Sequence, residues 1–214
     1  MKPRLIDEWQ MAPILWDAMR NSVDELHEDG LYILTGSTTI DEAEIMHTGT
    51  GRIHRVLIRT MSLYESSESN GKISILEQFK NPDMNINGIS SDLNVNDVIF
   101  AACRGGWPES LNKKSEKAQL FVAKSYVKNI CEINVSSFDD VKRDPQKVRK
   151  ILKSYSRNIS TLASNSTILA DINSELSISK NTHYNYTNAL KRLFVIEDVP
   201  AWSPNIRSKS QINT

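Results

Sequence analysis

Arg4-Leu5-Ile6-Asp7-Glu8 and Leu31-Tyr32-Ile33-Leu34-Thr35-Gly36-Ser37 are the two stretches that decide the fold class. Each is a short apolar run closed by polar residues, which is how a strand reaches the edge of a sheet. In the intervening segment Pro13 stands at a helix start, where its missing N–H costs nothing. Ile14, Leu15, Met19, Val23 and Leu26 continue at helical spacing, and Gly30 stops the helix. Thr48-Gly49-Thr50-Gly51 reads as a loop, and Ile53, Val56, Leu57 and Ile58 read as a third strand flanked by Arg52, Arg55 and Arg59. Strand, helix, strand, loop, strand predicts an α/β front part with a parallel sheet.

Beyond residue 62 the pattern becomes helical. Asn94 is placed to cap a helix that Gly105-Gly106-Trp107-Pro108 ends. A long helix is expected from about 115 to 133, and another from Asp144-Pro145, with Asp as cap and Pro in the first turn, towards Leu162. Two shorter helices and an apolar run, Phe194-Val195-Ile196, follow. The expected organisation is therefore an α/β part over 1–62, a helical linker or lid over 63–140 and a third module over 141–214.

The 214 residues carry 26 Lys+Arg and 26 Asp+Glu, with Cys103 and Cys131 as the sole cysteines. No apolar run approaches the roughly 20 residues of a membrane span, the N-terminus reads as no signal peptide, and two thiols make neither a disulfide scaffold nor a zinc site. The expected setting is a reducing cytoplasm. The 25 Ser and 18 Asn promise long solvated loops. The balanced charge conceals a gradient. Residues 1–75 hold 7 basic against 12 acidic side chains, residues 76–140 hold 7 against 9, and residues 141–214 hold 12 against 5. Such asymmetry fits a polyanion partner for the basic end, attraction between segments, or a solvated basic face.

Leu5-Ile6-Asp7-Glu8 has the chemistry of a Walker B strand: the Asp holds Mg²⁺ through water and the Glu polarises the water that attacks a γ-phosphate. A strand end delivers both carboxylates to the sheet edge where nucleotides bind. The next strand ends in Thr35-Gly36-Ser37, where an AAA-type ATPase keeps a sensor of the γ-phosphate.

Leu5-Ile6-Asp7-Glu8-Trp9-Gln10, Ala12-Pro13, Leu15-Trp16-Asp17 and Ile33-Leu34-Thr35-Gly36-Ser37 resemble one prokaryotic family of AAA-type ATPases. His47-Thr48-Gly49-Thr50-Gly51-Arg52, Arg59-Thr60-Met61-Ser62-Leu63 with Glu65, and Arg104-Gly105-Gly106-Trp107-Pro108 fit the same family. The resemblance runs from Pro3 to about Ser208. Members join an ATPase core to a C-terminal region of unknown function that begins with a winged helix. The resemblance implies Asp7 as the magnesium-site carboxylate, Glu8 as the water-polarising base, Thr35 as the sensor-like residue and Ser37 as a second nucleotide contact. It makes Arg52 an arginine finger or nucleotide contact, against the alternative of a surface charge beside an edge strand. Trp9, Trp16 and Trp107 are expected to pack.

The chain departs from that family in one respect. A P-loop needs Gly-x-x-x-x-Gly-Lys-Ser/Thr so that backbone N–H groups cradle phosphates. The sole Gly-Lys pair is Gly71-Lys72, with Ile73 where Ser or Thr belongs and Ser66 where the first Gly belongs. The reading is an internal fragment of a Mg- and ATP-dependent parent, whose partner would be the P-loop segment. The chain alone is expected neither to bind nor to hydrolyse ATP. The alternative is a non-enzymatic DNA-binding regulator with a scaffold front half.

At the basic end, Ile168, Leu169, Ile172 and Leu176 give a short helix its apolar face, and Ser179 is placed to cap a second helix from Lys180 to about Leu193. His183, Tyr186, Leu190 and Leu193 mark that helix's buried face, with His183 read as a satisfied core histidine. Two helices joined by a tight turn fit a helix-turn-helix. Phe194–Val199 is expected as a wing strand and 203–209 as a wing loop with Arg207 and Lys209. The opposite helix face carries Lys180, Asn181, Tyr184, Asn185, Asn188 and Lys191, able to contact phosphates and base edges of duplex DNA. A winged helix also packs onto protein, so docking stands beside DNA as its role.

Overall fold

A computed structural model describes residues 3–37, 51–137 and 141–199. The chain is mostly helical, with one small parallel sheet of two strands among the described residues. It divides into two compact units: residues 1–54 with 131–214, and residues 55–130.

In the first unit, β1 (Arg4–Ile6) and β2 (Tyr32–Leu34) pair in parallel, Leu5 opposite Ile33. The crossover between them is α1 (Ile14–Leu26), whose Trp16 and Met19 are buried. Trp16 stacks on Trp9, ring centroids 4.8 Å apart. Ser22 Oγ and Tyr32 Oη share a hydrogen bond of 2.9 Å that ties helix to sheet. The expected third strand does not form: residues 53–60 have no regular structure, and Val56 and Ile58 are 73% and 86% exposed. An apolar run becomes a strand only where another backbone accepts its ladder, and neither outer edge of the sheet is paired among the described residues.

The same unit contains a helical group. A π turn (Ile130–Asn134) leads to α6 (Val135–Ser137), and α7 (Pro145–Arg157), α8 (Asn165–Asn173) and α9 (Lys180–Arg192) follow. Asp144, Ser164 and Ser179 cap the last three by accepting from the backbone N–H of Gln146, Thr167 and Thr182. Val148, Ile151, Ile168, Ile172, Ile178 and Leu190 form the core. The α7 helix stops at Arg157 rather than continuing towards Leu162, which is fully exposed and offers nothing to pack. The expected wing strand is also missing. Residues 194–199 form no strand, and Phe194 sits at φ 55°. The expected wing loop over 203–209, Arg207 and Lys209 included, lies outside the described residues.

The second unit contains α2 (Ile75–Lys80), α3 (Val95–Arg104), α4 (Pro108–Leu111) and α5 (Glu116–Asn129). Asn94 closes a full capping box with Asp97 at the start of α3. Trp107 lies against Tyr126, ring centroids 4.6 Å apart. Gly106 accepts from Met61 N–H at 2.8 Å, and a Cβ there would stand 2.1 Å from the Met61 carbonyl oxygen, so only glycine fits.

Candidate functional site

Parallel pairing of three-residue strands brings two polar strand ends side by side. Trp9 N–H donates to the Thr35 carbonyl at 3.2 Å and Thr35 N–H to the Ile6 carbonyl at 3.0 Å, so the ladder runs past the strands into the two polar segments. Thr35 Oγ1 donates to Asp7 Oδ1 at 2.5 Å. Ser37 Oγ donates to Glu8 Oε2 at 3.2 Å. Gln10 Nε2 donates to the same Glu8 oxygen. Asp7, Glu8 and Ser37 are exposed and Thr35 is half-buried. The edge is thus a solvent-facing pair of carboxylates, each held by one hydroxyl from the neighbouring strand. Gly36 lets Gln10 approach closely: a Cβ there would stand 2.3 Å from Gln10 Oε1 and displace that side chain.

Glu8 holds φ 50° and ψ 42°, the left-handed region that L side chains rarely adopt. This turn ends β1 sharply and lets the next residues form the short 3₁₀ turn Trp9–Met11. Four of the five residues assigned to nucleotide chemistry, Asp7, Glu8, Thr35 and Ser37, therefore meet at one edge. Arg52 does not join them: it pairs with Asp24 on α1, holding the Asp24 carboxyl below the usual carboxylate range through its hydrogen bond. The sequence reading missed Gln10 and Asp24. Gln10 follows the acidic pair at a spacing a tight turn folds back, whereas nothing in the sequence links Asp24 to Arg52. Among the described residues no group of three or more His, Cys, Asp and Glu side chains is placed to hold a metal, so the edge offers two carboxylates and no more.

The second candidate is α9. Lys180, Asn181, Tyr184 and Asn185 are exposed and Asn188 is half-buried, so these side chains share an accessible face. Lys191 departs from expectation. It pairs with Asp198, which neutralises its charge. Other positive charges of this region are spent internally too: Lys150 and Lys153 pair with Glu175 and lower its carboxyl, and Arg157 pairs with Asp171, whose carboxyl the Ser154 hydroxyl and then Arg157 hold below the usual range. Lys142, Lys147, Arg149 and Lys180 form no ion pair among the described residues. His183 is buried, 5% exposed, 3.5 Å from Thr187 Oγ1; burial, with Lys191 adding to it, holds its pKa below the ordinary histidine value.

Among the described residues no helix is long and apolar enough to cross a membrane. No curated protein and no solved structure matches the chain. One family model, described as a domain of unknown function (DUF8612), matches residues 95–214, taking in α3 to α9 and leaving the Asp7–Glu8 edge outside. That match spans 120 of the 214 residues, more than half, and the chain belongs to the DUF8612 family.

Proposed function

We propose that this chain supplies the carboxylate half of a magnesium–nucleotide site in an AAA-type ATPase, and that the phosphate cradle comes from a P-loop segment outside its sequence. The observation that carries the reading is the pairing of strand ends, in which Thr35 holds Asp7 and Ser37 holds Glu8 across adjacent parallel strands. Two outward-facing carboxylates at the carboxyl ends of parallel strands suit a hydrated Mg²⁺ and a polarised water. Bound Mg-ATP would supply the reacting phosphate. This chain would supply Asp7 towards the hydrated cation, Glu8 towards the attacking water and Thr35 as the group that orients Asp7. The residues present fit the cation and water, and none of them replaces the backbone cradle for the phosphates. Arg52 stays bound to Asp24 in this reading and takes no part.

The test is to join a strand–P-loop–helix segment ahead of Pro3, taken from the genomic sequence upstream of Met1, and assay ATP hydrolysis. The expected result is Mg-dependent turnover that Glu8→Gln lowers at least 100-fold, about the loss that follows removal of one transition-state electrostatic group. Turnover unaffected by Glu8→Gln, or an upstream sequence encoding no P-loop, would contradict the reading and favour the non-enzymatic regulator.

The C-terminal helices support a second reading, contact with duplex DNA through α9 as the reading helix of a helix-turn-helix-like pair. Its support is the exposed face of Lys180, Asn181, Tyr184, Asn185 and Asn188 on a helix whose other face, His183, Thr187 and Leu190, is buried. Fluorescence anisotropy across a salt series tests it. Non-specific affinity should fall steeply between about 50 and 200 mM salt, and flat or undetectable binding would leave protein docking as the role.

A further inference from the structure

Glu8 carries two donors on one oxygen. Ser37 Oγ donates to Oε2 at 3.2 Å and Gln10 Nε2 donates to the same atom, while Oε1 accepts from no described residue. Glu8 is exposed, and an exposed glutamate ordinarily samples several side-chain rotamers. Here one carboxylate oxygen is fixed from two sides, by a donor from beyond the end of each strand, and the other oxygen is open.

Gln10 is built into this edge rather than lying on it. Met11 N–H donates to the Glu8 carbonyl at 2.9 Å and closes the turn around Gln10. On its other side Trp9 is fixed by the stack on Trp16, which is 2% exposed, and by the bond from its N–H to the Thr35 carbonyl. Gln10 Oε1 is buried against Gly36 and accepts no hydrogen bond from the described residues. A buried acceptor without a donor costs free energy, yet turning the amide over would set that oxygen against the Glu8 carboxylate. Glu8 therefore dictates which way the amide faces. Gly36 leaves the room for it, since a Cβ there would press on both the Oε1 and the Cδ of Gln10.

We propose that Gln10 is a positioning residue for Glu8: together with Ser37 it pins the carboxylate through Oε2, so that Oε1 is the oxygen presented to the attacking water. The inference rests on the nucleotide-site reading of this edge and adds to it the group that aims its base. Gln10 acts through Glu8, and Gly36 acts through Gln10. Turnover then depends on a hydrogen bond that takes no part in holding the nucleotide.

Two measurements test this. In the full chain alone, ¹⁵N spectra follow the side-chain amide of Gln10 on acidification. The signal is expected to shift in wild type and in Asp7→Asn, and to lose that dependence in Glu8→Gln and in Gly36→Ala. A signal indifferent to acidification in wild type, or one that still responds in Glu8→Gln, would overturn the proposal, because the amide would not be bonded to Glu8. The second measurement is a double-mutant cycle in the protein joined to its P-loop segment, using Glu8→Gln and Gln10→Met, a side chain of similar length that donates nothing. Gln10→Met is expected to lower kcat roughly 10-fold, about the loss that follows removal of a group that orients a reacting one, with KM for Mg-ATP unchanged. In the Glu8→Gln background it should cost nothing further. Equal losses in both backgrounds, or a raised KM with kcat unchanged, would assign Gln10 to the fold or to substrate binding and overturn the proposal while the nucleotide-site reading stands. Turnover indifferent to Glu8→Gln, or no turnover at all, would overturn that reading and the role of Gln10 with it.

Discussion

Glu8 holds a left-handed backbone that costs on the order of 1–3 kcal/mol for a side chain other than glycine, and its carboxylate projects into solvent, where burial offsets none of that cost. A residue kept for stability would not occupy such a position. Glu8→Gly is therefore expected to change unfolding free energy by less than about 1 kcal/mol, relief of strain being balanced by the added freedom of the unfolded chain. Chemical denaturation checks this, and a loss above about 2 kcal/mol would make the carboxylate structural. Arg104 is the opposite case. It is 5% exposed and grips Glu68 through two hydrogen bonds of 2.8 and 2.7 Å, with Ser66 Oγ donating to the same carboxylate at 2.6 Å. Removing one partner strands a charge, so Arg104→Ala should destabilise by about 3 kcal/mol. The Arg104 hydrogen bonds hold the Glu68 carboxyl below its usual value of 4.5. Because the folded value is the lower one, this contribution is complete above about pH 4.5 and drains away as pH falls through the folded value. Thermal unfolding from pH 7 to pH 3 should show that loss, and Glu68→Gln should flatten it. On α9, Lys191 is already paired with Asp198, so Lys191→Ala should weaken DNA binding less than Lys180→Ala does. Equal losses in an anisotropy titration would contradict that ordering.

Among the elements, capped helices were legible and strands were legible only in part. Asn94, Asp144 and Ser179 each announce a helix start because the cap is local chemistry, a side-chain oxygen taking a nearby N–H. Leu5–Ile6 and Ile33–Leu34 were readable as strands because a single crossover brings them together. The runs at 53–58 and 194–199 have the same apolar character and make no strand, since pairing depends on a partner backbone that composition does not reveal. At the site, Asp7, Glu8, Thr35 and Ser37 were readable as strand-end polar residues, whereas the Arg52–Asp24 pair arises from tertiary placement alone. The two-stranded sheet carries a physical liability. Leu5 and Ile33 sit opposite each other, 65% and 50% exposed, beside unpaired edges. Few buried contacts imply a low opening free energy, so amides of β1 and β2 should exchange with solvent before those of α7 and α9, whose Val148, Ile151 and Leu190 are fully buried. Hydrogen-exchange mass spectrometry decides this, and equal protection of sheet and helices would contradict it.

For the molecule as a whole, the helical group holds Val135, Val148, Ile151, Ile172 and Leu190 at 2% exposure or less. In contrast, the 55–130 unit leaves Ile58, Ile75, Phe79 and Val95 at 70% or more. The chain therefore holds one well-packed helical group, with a polar face along α9, and a sheet edge where Thr35 and Ser37 hold the carboxylates of Asp7 and Glu8. The central claim is that Asp7 and Glu8 act only with a phosphate cradle from outside this sequence. Calorimetric titration of Mg-ATP tests it most directly, into this chain alone and into the same chain joined behind a P-loop segment. The account predicts no binding to the chain alone, and micromolar, magnesium-dependent binding to the joined protein that Asp7→Asn weakens. Magnesium-dependent micromolar binding by the chain alone, or joined-protein binding indifferent to Asp7→Asn, would contradict it.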